Sequence, residues 1–326
     1  MIRRCRRFSV IALLGGLLLV ETASSTLIQG AESQPPNRQE PSQVFRSAVD
    51  AVLLNVTVVN TEHRYVTDVE AAEFSVFEDG VRQELTFFSR AQLPIALSLL
   101  IDTSVSMVDQ LPVAQEAAIG FVRHLRSQDV AQIVDFDSRV RIMQPFTNRP
   151  AVLERAIRAT EVGGATALYN AVYVSLKQLA RVNSPSMDTI QRRAIVLLSD
   201  GKDTTSLVTY GEVLELAKRS DATIHAIGLP SRRGGSINAS GKADVVLRQL
   251  SHETGGRAHF PARIHDLERV YGEIADELSS QYVIGYASSN TRRDGTWRRI
   301  EVSLTRPNVV ARTRRGYYAG GNTAGG

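Results

Sequence analysis

Ile95-Ala96-Leu97-Ser98-Leu99-Leu100-Ile101-Asp102-Thr103-Ser104-Val105-Ser106 is the stretch that decides the fold. Ile95 to Ile101 runs apolar without a period of two, as a strand buried on both faces does. It then stops on a carboxylate and a series of hydroxyls. A second run, Ala194 to Leu198, stops the same way on Ser199-Asp200-Gly201. Between them, Leu111, Ala114, Ala118, Phe121, Val122 and Leu125 recur at helical spacing, Val130 to Phe136 reads as a strand, and Val140 to Met143 reads as a short one. Ala151 to Ile157 reads as a helix, and Leu168, Ala171, Val172, Leu176 and Leu179 form a second apolar stripe. Beyond the second run come a helix at Val213 to Ala217 and a strand at Thr223 to Leu229. A Gly/Ser-rich loop follows at Ser231 to Gly241, then helices at Ala243 to His252 and Ile264 to Ser279, with a short strand near Ala258. Repeated strand-then-helix order predicts a parallel sheet covered by helices over residues 92–280.

The flanks read differently. Over 45–91, Leu54, Val56 and Val58 alternate with Asn55 and Thr57, and Asp79-Gly80 separates Phe74–Phe77 from Leu85–Phe88, a hairpin signal. This small β module is too short for a core of its own and is expected to pack on the domain that follows. Over 281–318, Tyr282–Tyr286 and Arg299–Leu304 flank Asp294-Gly295 and predict a C-terminal β hairpin, with Val309–Arg312 as a further strand. Residues 319–326 read as a disordered tail.

The N-terminus bears on compartment. Arg3, Arg4, Arg6 and Arg7 precede the apolar run Phe8–Val20, and Ala23-Ser24-Ser25 offers a cleavage site, so 1–25 reads as a signal peptide. The alternative is an uncleaved anchor. Residues 26–44, with Pro35, Pro36 and Pro41, read as a flexible linker. The protein is then expected to be secreted or periplasmic. Four arginines and Glu21 leave with the leader, which removes three of the formal +4 charges and weakens any case for nucleic acid. The single cysteine, Cys5, leaves too, excluding disulfides, zinc–thiolate sites and a cysteine nucleophile from the mature chain. With 43% apolar and 22% charged residues, what remains has the composition of a globular protein with a sizeable core.

Asp102, Ser104, Ser106, Thr166 and Asp200 offer oxygen and no nitrogen or sulfur. Taken singly, each has an ordinary use. Ser104 or Ser106 caps a helix, Thr166 is the N-cap of the helix starting at Ala167, and Asp200-Gly201 is a turn. Taken together, two carboxylates at strand ends and a threonine from a Gly163-Gly164 loop are placed where open α/β sheets bind ligands. An all-oxygen set suits a hard divalent cation, Mg²⁺ or alternatively Mn²⁺ or Ca²⁺. Five side chains leave room in the shell, which a partner's carboxylate completes. The positive end of the helix after Ser106 favours the same anion.

Asp102-x-Ser104-x-Ser106, Thr166 and the Asp200 of Ser-Asp-Gly resemble the metal-ion-dependent adhesion site of von Willebrand factor type A domains, over about 92–280. The resemblance implies a doubly wound α/β fold that binds Mg²⁺ or Mn²⁺ and grips an acidic residue of a protein partner. It implies Ser104, Ser106 and Thr166 as direct or near-direct ligands, with Asp102 and Asp200 acting partly through water. Phe74–Gly80, Leu168–Ala171, Gln281–Tyr286 and Arg315–Tyr318 look like a secreted bacterial, acidobacterial-type subgroup. Asp203 falls outside the motif and reads as a solvated loop residue, and Asp135 and Asp137 as turn-capping or crevice-rim residues.

Other chemistries are not signalled. There is no G-x-G-x-x-G after the first strand, no G-x-S-x-G elbow, and the Gly241-Lys242 pair lacks the rest of a phosphate loop. No nucleophile–base pair stands out among the histidines, and His225 reads as a core residue. The arginines of 292–315 read as charged hairpin and edge faces, with too few aromatics interleaved for nucleic acid. The expected function is an exported, non-enzymatic, metal-dependent protein-binding module with possible envelope association and no nucleotide cofactor. The alternatives are a metal-stabilised scaffold and, more remotely, a metal-dependent hydrolase.

Overall fold

A computed structural model describes residues 51–182, 191–200, 202–229 and 237–320. The expected leader, linker and last six residues lie outside them. β1 (Ala51–Asn60), β2 (Phe74–Glu78), β3 (Val81–Gln83) and β4 (Leu85–Ser89) precede the long apolar strand β5 (Ile95–Asp102). α1 (Leu111–Arg123), β6 (Val130–Phe136), β7 (Val140–Thr147), α2 (Pro150–Arg158), α3 (Leu168–Ala180), β8 (Arg192–Ser199) and α4 (Tyr210–Arg219) follow. Then come β9 (Ala222–Gly228), α5 (Ile237–Thr254), β10 (Ala258–His259), α6 (Leu267–Ser279), β11 (Tyr282–Ala287), β12 (Trp297–Leu304), β13 (Val309–Arg312) and β14 (Gly316–Tyr318).

The central sheet runs β10-β9-β8-β5-β6-β7, parallel throughout except for β7 at its edge. Every residue of β5 is buried because helices cover both faces. Leu97, Leu99 and Ile101 pack toward Ala118, Val122, Leu153, Tyr271 and Ile274 of α1, α2 and α6. Ala96 and Leu100 pack toward Val172, Leu176, Val213 and Leu247 of α3, α4 and α5. This is the mixed α/β fold with a mostly parallel, helix-flanked sheet that the strand–helix alternation predicts. The chain builds outward from β5 through β6 to β7, then returns to the other side of β5 with β8. Strand order therefore reverses between β5 and β8, so Asp102 and Asp200 leave the sheet at its switch point.

The terminal β segments join each other. One sheet is β13-β1-β11-β4 and the other is β14-β12-β2-β3, so each draws strands from both ends of the chain. Their shared core holds Leu54, Val56, Phe74, Val76, Tyr282, Ile284, Tyr286 and Ile300. Two expected hairpins differ in detail. Asp79 and Gly80 do form a turn, with φ of 48° and 83°, but it joins β2 to the short β3. β4 pairs with β11 instead. The runs at 282–286 and 299–304 do not pair with each other: β11 lies between β1 and β4, and β12 lies between β14 and β2. Local turn chemistry marks where the chain reverses, whereas burial of apolar faces from distant segments selects the strand partners. Of the loop expected at 231–241, residues 231–236 lie outside the described residues, and 237–241 belong to α5 instead.

Candidate metal centre

Three loops meet at the carboxyl edge of the sheet, and backbone hydrogen bonds lace them together. The Gly163 amide donates to the Thr103 carbonyl at 2.7 Å, and the Val105 amide to the Gly164 carbonyl at 3.0 Å. This ties the loop after β5 to the loop before α3. Amides of Thr204 and Thr205 donate to the Thr166 carbonyl at 2.9 and 3.2 Å, which ties in the loop after β8. The Thr166 amide in turn donates to Thr204 Oγ1 at 2.9 Å. Gly163 also lets the β6–β7 turn come close: a β-carbon there would stand 1.7 Å from Asp137 Oδ2.

Asp102 is wholly buried. Its Oδ1 accepts the Ser104 amide at 2.9 Å and its Oδ2 accepts the Ser199 hydroxyl at 2.6 Å. Burial pushes its carboxyl up to about 6 against the hydrogen bonds from Ser104 and Ser199, and the negative charge of Asp200 adds to the rise. Ser104 Oγ and Ser106 Oγ stand 3.0 Å apart. Asp200 is buried, accepts the Lys202 amide at 3.2 Å, and has Lys202 Nζ at 3.9 Å.

The capping uses open to two of these residues are not taken. Ser104 precedes a single helical turn, Val105–Met107, without capping it through its side chain. The N-cap position of α3 is Ala167, not Thr166, and no side chain at that position caps the helix. The cap comes from another loop. Asp203, expected as a solvated residue, accepts the Tyr169 amide at 3.1 Å and the Ser206 hydroxyl at 2.6 Å, while Ser206 Oγ accepts the Asn170 amide at 3.0 Å. The helix starting at the crevice is thus α3. The helix after Ser106 begins only at Leu111, so the expected positive end beside Ser106 is displaced by that intervening turn.

Asp135 and Asp137 flank the same edge but are engaged elsewhere. Arg141 grips Asp135 through Nε and Nη2 at 2.8 and 2.9 Å and reaches Asp137 at 3.4 Å. Asp137 also accepts the Arg139 amide at 2.7 Å. Ser199 and Asp203 are the residues that the motif did not assign. A serine directly before the second aspartate, at the end of a buried strand, is the one local hint of the first. The second, contacting α3 from 34 residues away, left no local hint.

Donor chemistry fits a hard cation. The five side chains supply hydroxyl and carboxylate oxygen only, and the buried Asp102 carboxylate has amide and hydroxyl donors but, among the described residues, no cationic side chain against it.

Residues 97–202 match the von Willebrand factor type A domain. The type A segment takes in all five site residues and leaves the terminal β strands outside it. Curated relatives are similar over a longer stretch. A UPF0353 protein of Mycolicibacterium paratuberculosis is 24% identical over 217 residues, covering 61% of this chain and 66% of its own length. One of Mycobacterium marinum is 25% identical over 216 residues, covering 60% and 64%. The chain thus spans just under two thirds of the length of these relatives. Among solved structures, a von Willebrand factor type A protein from Catenulispora acidiphila aligns with a TM-score of 0.49 at 11% identity, over 82% of this chain and 62% of that one.

Proposed function

We propose that the type A domain is a metal-dependent protein-binding module in which Asp102, Ser104, Ser106, Thr166 and Asp200 hold a divalent cation, Mg²⁺ or a close substitute. The cation then captures a carboxylate on a protein partner. The observation that carries this reading is Asp102: a fully buried carboxylate, met among the described residues by an amide and a hydroxyl, at the point where three hydrogen-bonded loops converge. Leaving such a group without a counter-charge is costly. A divalent cation held by these residues would supply that charge and the Lewis acidity that attracts a carboxylate.

The chain's own side chains prepare the site. Ser199 and the Ser104 amide hold the Asp102 carboxylate in one orientation. Ser104 and Ser106 present adjacent oxygens, and the Thr204 and Thr205 amides fix the Thr166 backbone. Export by an N-terminal signal peptide places this module in the envelope or outside the cell. The test is a pull-down from native envelope extract in Mg²⁺ and again in chelator. Metal-dependent capture by the wild type, abolished in a folded Asp102→Ala variant, supports the reading, and equal capture in chelator refutes it.

The same buried carboxylate supports a second reading, a metal-stabilised scaffold that binds its partner elsewhere. Chelation then lowers thermal stability without releasing the partner.

A further inference from the structure

Four large apolar side chains standing in water lie on the loops that meet at the candidate metal centre. Val81, Val105, Val108, Ile142, Val162, Leu207, Val245 and Val310 are the large exposed hydrophobics among the described residues. Half of them, Val105, Val108, Val162 and Leu207, lie on the three short loops that carry the five site residues. They are 47, 54, 38 and 92% exposed. Single exposed hydrophobics are ordinary, but four on the three loops of one polar centre point to a contact surface.

Leu207 is the extreme case, and its loop is fixed. Thr204 and Thr205 amides are held by the Thr166 carbonyl, and Ser206 by Asp203. The Leu207 and Val208 amides both donate to Asn170 Oδ1, at 3.1 and 3.2 Å. A leucine so exposed on a loop so firmly tied is presented for contact, since little further ordering is lost when it is covered.

We infer that the acidic residue captured at this site is flanked, on the partner chain, by bulky apolar side chains that cover Leu207, Val105, Val108 and Val162. The inference rests on the reading of the site as an acid-capturing cation centre and names the chemistry of the partner. Charge and shape point the same way. The centre calls for one carboxylate, its border calls for apolar cover, and the exposed Glu161 beside Val162 disfavours a second negative charge. A run of acids or a polyanion therefore fits worse than a lone Asp or Glu in an apolar segment.

The experiment pans a displayed peptide library, with one fixed central Glu and randomised flanks, on the full chain in Mg²⁺, with elution by chelator. Enrichment of Leu, Ile, Phe or Met beside the fixed Glu is expected. Leu207→Ser and Val108→Ser, both at exposed positions, should weaken the enriched peptide at least about fivefold while calorimetric Mg²⁺ binding stays unchanged. Enrichment of Gly, Ser or charged flanks, or wild-type affinity in both variants, overturns the inference and leaves metal-dependent capture standing. Failure of the underlying reading looks different. A parallel library with Gln at the fixed position would enrich equally, or bound peptides would ignore chelator, and both conclusions would fall together.

Discussion

Asp102 and Glu78 are both shielded from water, and the protein surrounds them differently. Glu78 lies in the β module, 3.0 Å from the equally buried Arg298, and accepts hydroxyls from Tyr286, Tyr317 and Ser288 at 2.9, 2.9 and 2.6 Å. Glu277, at the seam where α6 meets the β module, is gripped by Arg312 and accepts Thr57 Oγ1 at 3.3 Å. Asp129 and Asp135 have Arg126 and Arg141. Where a carboxylate holds the fold together, the sequence places an arginine against it. Asp102, at the carboxyl edge of the sheet, has a serine hydroxyl and an amide. That contrast separates carboxylates that staple segments from one that, among the described residues, has no cationic side chain against it, as the proposed cation site requires.

The most severe way to test the contrast is to give Glu78 the surroundings of Asp102. Arg298→Ala leaves a buried carboxylate beside three hydroxyls, and is expected to cost about 3–5 kcal/mol in denaturant unfolding. Glu78→Gln with Arg298→Met should recover most of the loss, since neither charge then remains buried. A loss under about 1 kcal/mol in the single variant would mean that arginine pairing is not what distinguishes the two regions.

Acid sharpens the comparison because two buried groups respond in opposite directions. Burial and the nearby Arg257 push His259 down to about 4. The unfolded chain therefore binds its proton first, and stability present above the ordinary imidazole value near 6.5 is lost as pH falls from there through about 4. Asp102, raised to about 6 by burial, does the reverse. In chelator its contribution improves as pH falls from about 6 to about 4, where the folded state takes up the proton first. Each effect is worth at most about 3 kcal/mol. His259→Gln should flatten one arm of the stability–pH profile and Asp102→Asn the other; an unchanged profile in either variant removes that group from the account.

Mg²⁺ tests the proposed counter-charge directly. At a hundredfold excess over its dissociation constant, a ligand of the folded state alone adds about 2.7 kcal/mol. The wild type should gain stability of that order, seen as a rise in Tm, and Asp102→Asn should gain none while being no less stable than the wild type in chelator. A Mg²⁺ response that survives in Asp102→Asn would break the comparison at its centre.

The sequence made one of these regions far more legible than the other. β5 and β8 were readable because strands buried on both faces leave long apolar runs, and a polar residue ending such a run stands out. Asp102 and Asp200 stood out for the same reason, since each sits where an apolar run stops, whereas Thr166 stood out only by the Gly163-Gly164 pair before it. The β module was not. Its strands alternate and are short, and β1 with β11, or β2 with β12, come from segments more than 200 residues apart. Asp79-Gly80 announced a reversal but not that Val81–Gln83 would be the returning strand. Arg298 read as one of many surface arginines, because nothing local to it predicts a glutamate 220 positions away.

Asp203 is the smallest expected effect and the one closest to the boundary between the two kinds of carboxylate. It caps α3 from the loop after β8, through the Tyr169 amide and Ser206, and by doing so holds that loop against Thr166. A lost cap costs about 1 kcal/mol, so Asp203→Ala should lower stability by that amount in chelator. If the cap also positions the crevice, the variant should lose Mg²⁺ affinity beyond what the weaker fold explains, because the Thr204 and Thr205 amides that fix Thr166 sit on the freed loop. Asp203→Asn, which keeps an acceptor for the Tyr169 amide, should restore both. Equal Mg²⁺ binding by calorimetry in wild type and Asp203→Ala would assign Asp203 to the helix alone, a partly exposed cap that needs neither the arginine of Glu78 nor the proposed cation.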